Sequence, residues 1–288
     1  MFAVTGFTGQ VGGVVGRVLV ADGCPVRAVV RSEEKAQALA ERGYETALAE
    51  MHDAAALERA FAGTEGVFVL LPPVFDPSED FAESRRMVNA LRAALVAAAP
   101  RRVVCLSTIG AQARQPNLLR QLSYLEEQLG QLPMPVTFLR AGWFMENTMW
   151  DIEPAQVTGV LESYLQPLDK PVPMVATVDV GRTAAALLQE TWHGHRVVEL
   201  EGPQRVTPLE IAATLSSLLG RPVQARAVPR AEWEARFRAQ GMRNPTPRAQ
   251  MIDGFNEAWI RFEGPDDAVR KGEISLRAVL ATLVARAG

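Results

Sequence analysis

Three glycines at the start of the chain are spaced for binding a phosphate. They form the pattern Gly6-x-x-Gly9-x-x-Gly12 between a short apolar strand and a predicted helix. The first glycine permits a sharp turn, the second lets the backbone approach a pyrophosphate, and the third lets the helix pack against the sheet. The N–H groups that open a helix carry partial positive charge and attract the anion. The predicted dinucleotide-binding residues are Gly6, Phe7, Thr8, Gly9, Gln10, Val11 and Gly12.

The same glycine spacing also occurs in ordinary turns and in tightly packed helices. Its place at the first strand-to-helix turn of an alternating chain is what favours a dinucleotide. The end of the second strand then indicates which dinucleotide, because a basic residue there accommodates the 2′-phosphate of NADP and an acidic one binds the 2′-hydroxyl of NAD. Arg31 takes that place, and Lys35 follows one helical turn later. The sequence favours NADP(H), while neighbouring glutamates leave NAD(H) as the alternative.

Further walls of this site are expected at the carboxyl ends of later strands, where ligands of open α/β sheets bind. Glu50 follows the third strand and is expected near the adenine. Two segments are expected along the ribose and the nicotinamide: Leu71-Pro72-Pro73 after the fourth strand, and Ser107-Thr108 after the fifth. The alternatives are that the prolines only stiffen a loop and that Ser107 only caps a strand end.

The first half of the chain alternates short β-branched runs with segments of helical period. This pattern predicts an α/β fold with a doubly wound parallel (Rossmann) sheet. Six strands are predicted at residues 2–4, 25–30, 45–48, 67–71, 102–106 and 136–139. We divide the chain into an NAD(P)-binding Rossmann domain, residues 1–150, and a smaller α+β C-terminal substrate lobe, residues 151–288, packed on the first with the chain crossing between them. Prolines such as Pro154 are expected to break up the chain in the lobe.

Composition restricts the class of partner. The 288 residues are 48% hydrophobic and 22% charged, with a net charge of −3, so a small-molecule substrate is expected and neither a nucleic acid nor a membrane. Two cysteines and a glycine motif that begins at residue 6 favour a cytoplasmic protein without a signal peptide. His193 and His195 lack a third ligand at suitable spacing, so no metal is expected. A homodimer is compatible with the sequence.

Several segments together resemble the atypical short-chain dehydrogenases called NmrA-like, a group that includes quinone oxidoreductase 2 type NADPH enzymes. The most specific are Val4-Thr5-Gly6-Phe7-Thr8-Gly9 and residues 137–147, which read TFLRAGWFMEN. The resemblance extends over nearly the whole chain and implies an NAD(P)H-dependent oxidoreductase. It also implies that the second segment passes the nicotinamide, so Trp143, Phe144 and Asn147 become substrate-pocket residues. The alternative is that these aromatic residues are plain core.

The chain departs from typical short-chain dehydrogenases in one respect. Those enzymes use a Tyr-x-x-x-Lys pair to exchange a proton with the substrate. Tyr44, Tyr124 and Tyr164 all lack a lysine four residues later, and Leu122 stands where relatives often carry lysine. We therefore expect hydride transfer to an acceptor that is already polarised, namely a quinone, an enone or an iminium. The catalytic residue is left unknown, with Ser107, Thr108, Phe144 and Asn147 as candidates.

A mixed apolar and amide segment near the C-terminus is a candidate lid over the substrate. Its expected contacts are Phe255, Asn256 and Trp259, although packing of an amphipathic segment explains the same pattern. A second function stays open at this point: a non-catalytic NADP(H)-sensing regulatory protein, since the family includes such regulators. Turnover of a panel of acceptors would separate the enzyme from the sensor.

Overall fold

A parallel eight-stranded sheet forms the centre of the molecule, which we describe over residues 1–287 from a computed structural model. The strands are β1 (Phe2–Val4), β2 (Val26–Val30), β3 (Glu45–Leu48), β4 (Gly66–Val69), β5 (Arg102–Thr108), β6 (Val136–Ala141), β7 (Trp143–Phe144), β8 (Val160–Ser163), β9 (Met174–Val175), β10 (His195–Glu201), β11 (Gln224–Ala227) and β12 (Arg270–Lys271). The sheet order is β12-β10-β6-β5-β4-β1-β2-β3, while β8 pairs with β11 and β7 with β9. The order of the first six strands is the doubly wound one, which confirms the predicted fold class.

Helices cover both faces of this sheet and form the second lobe. They are α1 (Gln10–Ala21), α2 (Glu33–Ala40), α3 (Ala54–Phe61), α4 (Ala82–Ala98), α5 (Arg120–Leu129), α6 (Met149–Thr158), α7 (Thr177–Gln189), α8 (Pro208–Leu219), α9 (Trp233–Ala239), α10 (Thr246–Asn256) and α11 (Leu276–Ala287). Two short 3₁₀ turns, Met145–Thr148 and Arg230–Glu232, precede α6 and α9. Within residues 1–287, no helix is both long enough and apolar enough to cross a membrane.

Each face of the sheet has its own core. Helices α1 and α7 pack on one face, where a Cβ on Gly181 of α7 would lie 2.5 Å from the Cβ of Val14 in α1. Helices α3, α4 and α5 pack on the other face through side chains such as Leu57, Leu91 and Leu125. Because consecutive residues of a strand point to opposite faces, each strand contributes to both cores.

The second lobe has a third core, which includes the fully buried side chains of Trp233 and Phe237. It joins α6, α8, α9, α10 and α11 with the small β8–β11 pair, as the prediction of a smaller α+β lobe requires. Two strands from this half of the sequence return to the main sheet. Strand β10 lies beside β6, with Arg196 opposite Thr137, and β12 lies outside β10.

The prediction that Pro154 breaks the chain is wrong. Pro154 is the sixth residue of α6, which begins at Met149. It stands near the middle of a helix of ten residues, where its missing N–H removes one hydrogen bond and leaves the remaining turns in place. Contacts with α8 and α11 in the lobe core then hold the helix, an influence that local sequence does not carry.

Candidate functional site

The glycine loop after β1 is folded tightly around the carbonyl of Gly6. Gly6 has a φ of +63°, and the backbone N–H of Gly9 donates to its carbonyl oxygen at 2.9 Å. A Cβ on Gly12 would lie 2.3 Å from that same oxygen, so no other residue fits there. Phe7 is buried and packs on Gly16, where a Cβ would lie 2.0 Å from its ring. The loop therefore offers backbone rather than the Phe7 ring to a ligand.

The first turn of α1 has donors available for an anion. Gly9 is its N-cap and supplies no side-chain hydrogen bond, and the first turn contains no acidic residue. By contrast, α2 is capped by Ser32 and α3 by Asp53. Thr8, Gly9 and Gln10 are exposed, whereas Val11 belongs to the core. An uncapped helix N-terminus behind a glycine loop fits the pyrophosphate of a dinucleotide.

Thr5 fixes the neighbouring strand end against this loop. Its hydroxyl donates to the carbonyl oxygen of Phe68 at 3.1 Å and accepts from the backbone N–H of Leu70 at 2.8 Å. The side chain of Leu70 lies 3.4 Å from the position of a Cβ on Gly6, so Leu70 lines the loop. Leu71 points to the other face and is buried in the core of α3 and α4. The prediction from the sequence named Leu71 and missed Leu70, which the alternation of side chains along the strand could have identified.

Two exposed basic side chains lie at the end of β2. Arg31 and Lys35 are exposed, and in residues 1–287 neither forms a salt bridge. Ser32 lies between them and accepts from the backbone N–H of Lys35 at 3.4 Å, which starts α2 at this point. Glu50 is exposed just after β3, which pairs with β2. Pro72 is half-buried and Pro73 exposed after β4.

Ser107 is committed to a buried ion-pair network. Its hydroxyl donates to Glu126 at 2.5 Å, and Glu126 also holds Arg140 in a bidentate pair with distances of 2.9 and 2.7 Å. Arg140 reaches Glu263 at 2.7 Å through its third nitrogen. Burial alone would lower the pKa of Arg140, but hydrogen bonds to Glu126 and Glu263 raise it above its ordinary value. The hydroxyl proton of Ser107 is therefore already donated to Glu126.

The remaining candidates differ in their surroundings. Thr108 is half-buried, and its hydroxyl donates to the Ile109 carbonyl at 3.2 Å. Phe144 is half-buried against the core on the α1 face, and Asn147 is exposed in the following turn. The ring of Trp143 meets the ring of Phe255 edge to face, with centroids 5.1 Å apart. These contacts bring α10 next to the end of β6.

The candidate lid residues do different things. Phe255 is buried against Trp143, and the half-buried Trp259 donates its indole N–H to Glu257 at 3.0 Å. Asn256 holds a loop instead of facing a ligand, because its amide bonds the Gln166 N–H at 2.8 Å and the Tyr164 carbonyl at 2.9 Å. A cleft of about 1030 Å³ adjoins Phe255 and Trp259, but its walls contain neither the glycine loop nor the end of β5. We do not place the reaction there.

All three tyrosines are engaged away from the end of β5. The Tyr124 hydroxyl donates to Asn89 at 2.9 Å on α4, and the ring of Tyr44 packs edge-on against Phe7. Tyr164 lies in the lobe core, 5.1 Å from the ring of Phe237. Leu122 packs into the core beneath α5.

The sheet order, the glycine loop and the uncapped α1 define a dinucleotide-binding protein of the Rossmann type. Within that class, the chain belongs to the NmrA-like family, whose model matches residues 1–243. It is 29% identical over 264 residues to an NAD(P)H azoreductase of Xenophilus azovorans, covering 90% of this chain and 86% of that protein. The family match and the similarity to the azoreductase agree with the family resemblance seen in the sequence.

Two further relatives are also reductases. A (4-alkanoyl-5-oxo-2,5-dihydrofuran-3-yl)methyl phosphate reductase of Streptomyces griseus is 32% identical over 227 residues, covering 78% of this chain and 76% of that protein. The crystal structure of an Escherichia coli NADPH-dependent quinone oxidoreductase with NADPH superposes with a TM-score of 0.82 at 25% identity, covering 98% and 99% of the two chains. The prediction of an oxidoreductase is confirmed.

Proposed function

We propose that this chain is an NADPH-dependent reductase that transfers hydride to a small, electron-poor organic acceptor such as a quinone, an enone or an iminium. The observation that carries the proposal is the uncapped N-terminus of α1 behind the glycine loop, together with the exposed Arg31 and Lys35 at the end of β2. The geometry supports a dinucleotide with an additional phosphate.

The residues present fit this cofactor. The backbone N–H groups of Gln10 and Val11 would hold the pyrophosphate, since the Gly9 N–H already donates to Gly6, and Arg31 with Lys35 would hold the 2′-phosphate. Leu70 would take the role in the wall that the sequence assigned to Leu71, because its side chain lies 3.4 Å from the position of a Cβ on Gly6. When bound, the cofactor supplies a hydride from its nicotinamide ring.

The acceptor would lie at the ends of β5 and β6, where Thr108 and Phe144 border the sheet. An acceptor that is already polarised needs orientation and exclusion of water more than a strong acid. The tyrosines are engaged elsewhere and the Ser107 proton is held by Glu126, which favours such acceptors over simple ketones. A quinone or an enone would gain a hydride from the bound cofactor and a proton from water, whereas an iminium would gain the hydride alone and become an amine; the oxidised cofactor would then leave.

The relatives support this choice of acceptor. They are named for an azo compound, an unsaturated dihydrofuranone phosphate and a quinone. All three substrate types contain a conjugated π-system that accepts a hydride directly. Conjugation is therefore the chemical feature that we assign to the substrate of this chain.

Steady-state oxidation of NADPH and NADH with 1,4-naphthoquinone tests the proposal. We expect the wild type to favour NADPH, and Arg31→Ala to lower kcat/KM for NADPH about tenfold with little change for NADH, because only NADPH offers the 2′-phosphate. Arg59→Ala is the matched control, since Arg59 is an exposed arginine in the last turn of α3. It should leave both values unchanged.

Two outcomes would contradict the proposal. Equal losses for NADPH and NADH in Arg31→Ala would remove the 2′-phosphate assignment. Tight NADPH binding by calorimetry without oxidation across quinones, enones and iminium salts would favour the NADP(H) sensor instead.

A further inference from the structure

Arg248 in α10 is a half-buried cation without a counterion. Over residues 1–287 no carboxylate pairs with it, and its one polar side-chain contact is Nη1 to the Met242 sulfur at 3.6 Å. Its guanidinium carbon lies 4.4 Å from the centre of the Phe237 ring. Burial lowers the pKa of Arg248, with the nearby Tyr164 acting in the opposite direction.

Neighbouring arginines are paired with acids. Arg230 forms two hydrogen bonds with Asp253, and Arg236 pairs with both Glu162 and Glu232. The more deeply buried Arg140 has its bidentate pair with Glu126. Removing a charge from water without a partner costs free energy, so an anionic ligand at Arg248 would recover part of that cost.

One side of α10 connects Arg248 with the proposed reaction site. Arg248, Met251 and Phe255 stand at positions i, i+3 and i+7 and therefore share this side. Phe255 contacts Trp143, which directly precedes Phe144. Seven residues of helix rise about 10 Å, which is close to the length of two linked aromatic rings.

The surroundings of Arg248 suit an aromatic ligand. Phe237 lies under it, the half-exposed Met242 contacts it and Tyr164 packs on Phe237, and sulfur and aromatic groups both adapt to flat rings. Burial raises the pKa of Tyr164, so its phenol remains protonated and able to donate. The positive charge of Arg236 is already paired with Glu162 and Glu232.

From this geometry, and given the reductase function proposed above, we propose that Arg248 binds an anionic substituent, a carboxylate or sulfonate, on an aromatic acceptor. The substituent lies about 10 Å from the reacting end of the molecule, which faces Trp143 and Phe144. The planar guanidinium can donate two parallel hydrogen bonds to such an oxyanion. Arg248 is thus a specificity residue and does not take part in hydride transfer.

The test compares 2-(4-sulfophenyl)-1,4-naphthoquinone with 2-phenyl-1,4-naphthoquinone as acceptors for NADPH oxidation. We expect the wild type to show a KM about tenfold lower for the sulfonated quinone. Arg248→Met should remove that preference, Arg248→Lys should restore part of it, and the KM for NADPH should stay unchanged in both. Arg238→Gln is the control, because Arg238 is exposed on α9 and pairs with Glu234 one helical turn away.

Equal KM values for the two quinones in the wild type would overturn the inference. So would equal losses for both quinones in Arg248→Met, since that result assigns Arg248 to packing on Phe237. If neither quinone is reduced, the proposed function fails, and calorimetry with 4-biphenylsulfonate and 4-biphenylmethanol decides the inference separately. Sulfonate binding that is present in the wild type and lost in Arg248→Met would support it, and its absence in the wild type would overturn it.

Discussion

At the scale of single residues, two glycines of the loop have different functions. The Cβ of an alanine at Gly12 would lie 2.3 Å from the Gly6 carbonyl oxygen, within the fold itself. The Cβ of an alanine at Gly9 would lie 3.2 Å from that oxygen, and its φ of −88° suits any residue. Gly9 is exposed, so its missing side chain leaves room for a ligand rather than for the protein.

Alanine substitutions separate these two functions. Gly12→Ala should lower the free energy of unfolding by about 2–4 kcal/mol, because backbone must shift to admit the methyl group. Gly9→Ala should leave unfolding within about 1 kcal/mol of the wild type and weaken NADPH binding at least about tenfold, because the methyl group occupies the approach to the pyrophosphate. Urea denaturation and calorimetric titration measure the two effects, and a Gly9→Ala protein that binds NADPH normally would contradict the assignment.

The glycine loop was predictable from the sequence because the contacts among Gly6, Gly9 and Gly12 that shape it lie within a few residues of one another. Ser107 and Arg248 were not predictable in this way. The Ser107 hydroxyl meets Glu126, nineteen residues away, and the Arg248 guanidinium covers the ring of Phe237 on another helix. A single sequence shows the residue types but not which of them the fold brings together.

At the scale of elements, Arg140 joins parts that are distant in sequence. It lies on β6 opposite Ser107 of β5 and Glu199 of β10, and it binds Glu126 of α5. Its contact with Glu263 attaches the segment after α10 to the sheet, while Glu199 accepts the backbone N–H groups of residues 263 and 264. The network therefore fixes the position of the segment that follows the proposed substrate helix.

Replacing Arg140 by an uncharged residue should destabilise the protein, because the carboxylates of the network would remain buried. Arg140→Met should lower the free energy of unfolding by about 3–5 kcal/mol, because Glu126 would remain buried without its partner. The double variant Arg140→Met with Glu126→Met should recover a large part of that loss, since an apolar pair of similar volume replaces the charges. Urea denaturation at pH 7 measures both values, and equal stability of the single and double variants would argue against charge burial as the cause.

The elements of the first half were predictable because the strands and helices carry their own periods and because a glycine follows several of the helices, namely α1, α2, α3 and α5. The elements of the second lobe were less predictable. Helix α6 contains Pro154, and α10 carries part of the segment whose sequence fits either a lid or ordinary packing. Packing around Trp233 and Phe237 stabilises these helices, and local propensity does not encode such long-range packing.

At the scale of the whole molecule, the two predicted regions share one sheet. Strand β10 extends the sheet beyond β6, and α7 covers the same face as α1. Both come from residues beyond 150, so a chain ending there would leave the β6 edge unpaired and the α1 face partly bare. Exposed edges and apolar faces of this size favour aggregation over folding.

We therefore expect the 288-residue chain to unfold in one transition and residues 1–150 not to fold alone. In the full chain, the urea transition followed by tryptophan fluorescence should coincide with that followed by far-UV circular dichroism, because the lobe core and the sheet core lose their shared elements together. The fragment should lack a cooperative transition and fail to bind NADPH, although it contains the entire glycine loop. A fragment of residues 1–197, which ends inside β10 and retains α7, is the matched comparison and should recover more secondary structure. A cooperative transition in the fragment of residues 1–150 would show instead that the Rossmann half is an independent domain.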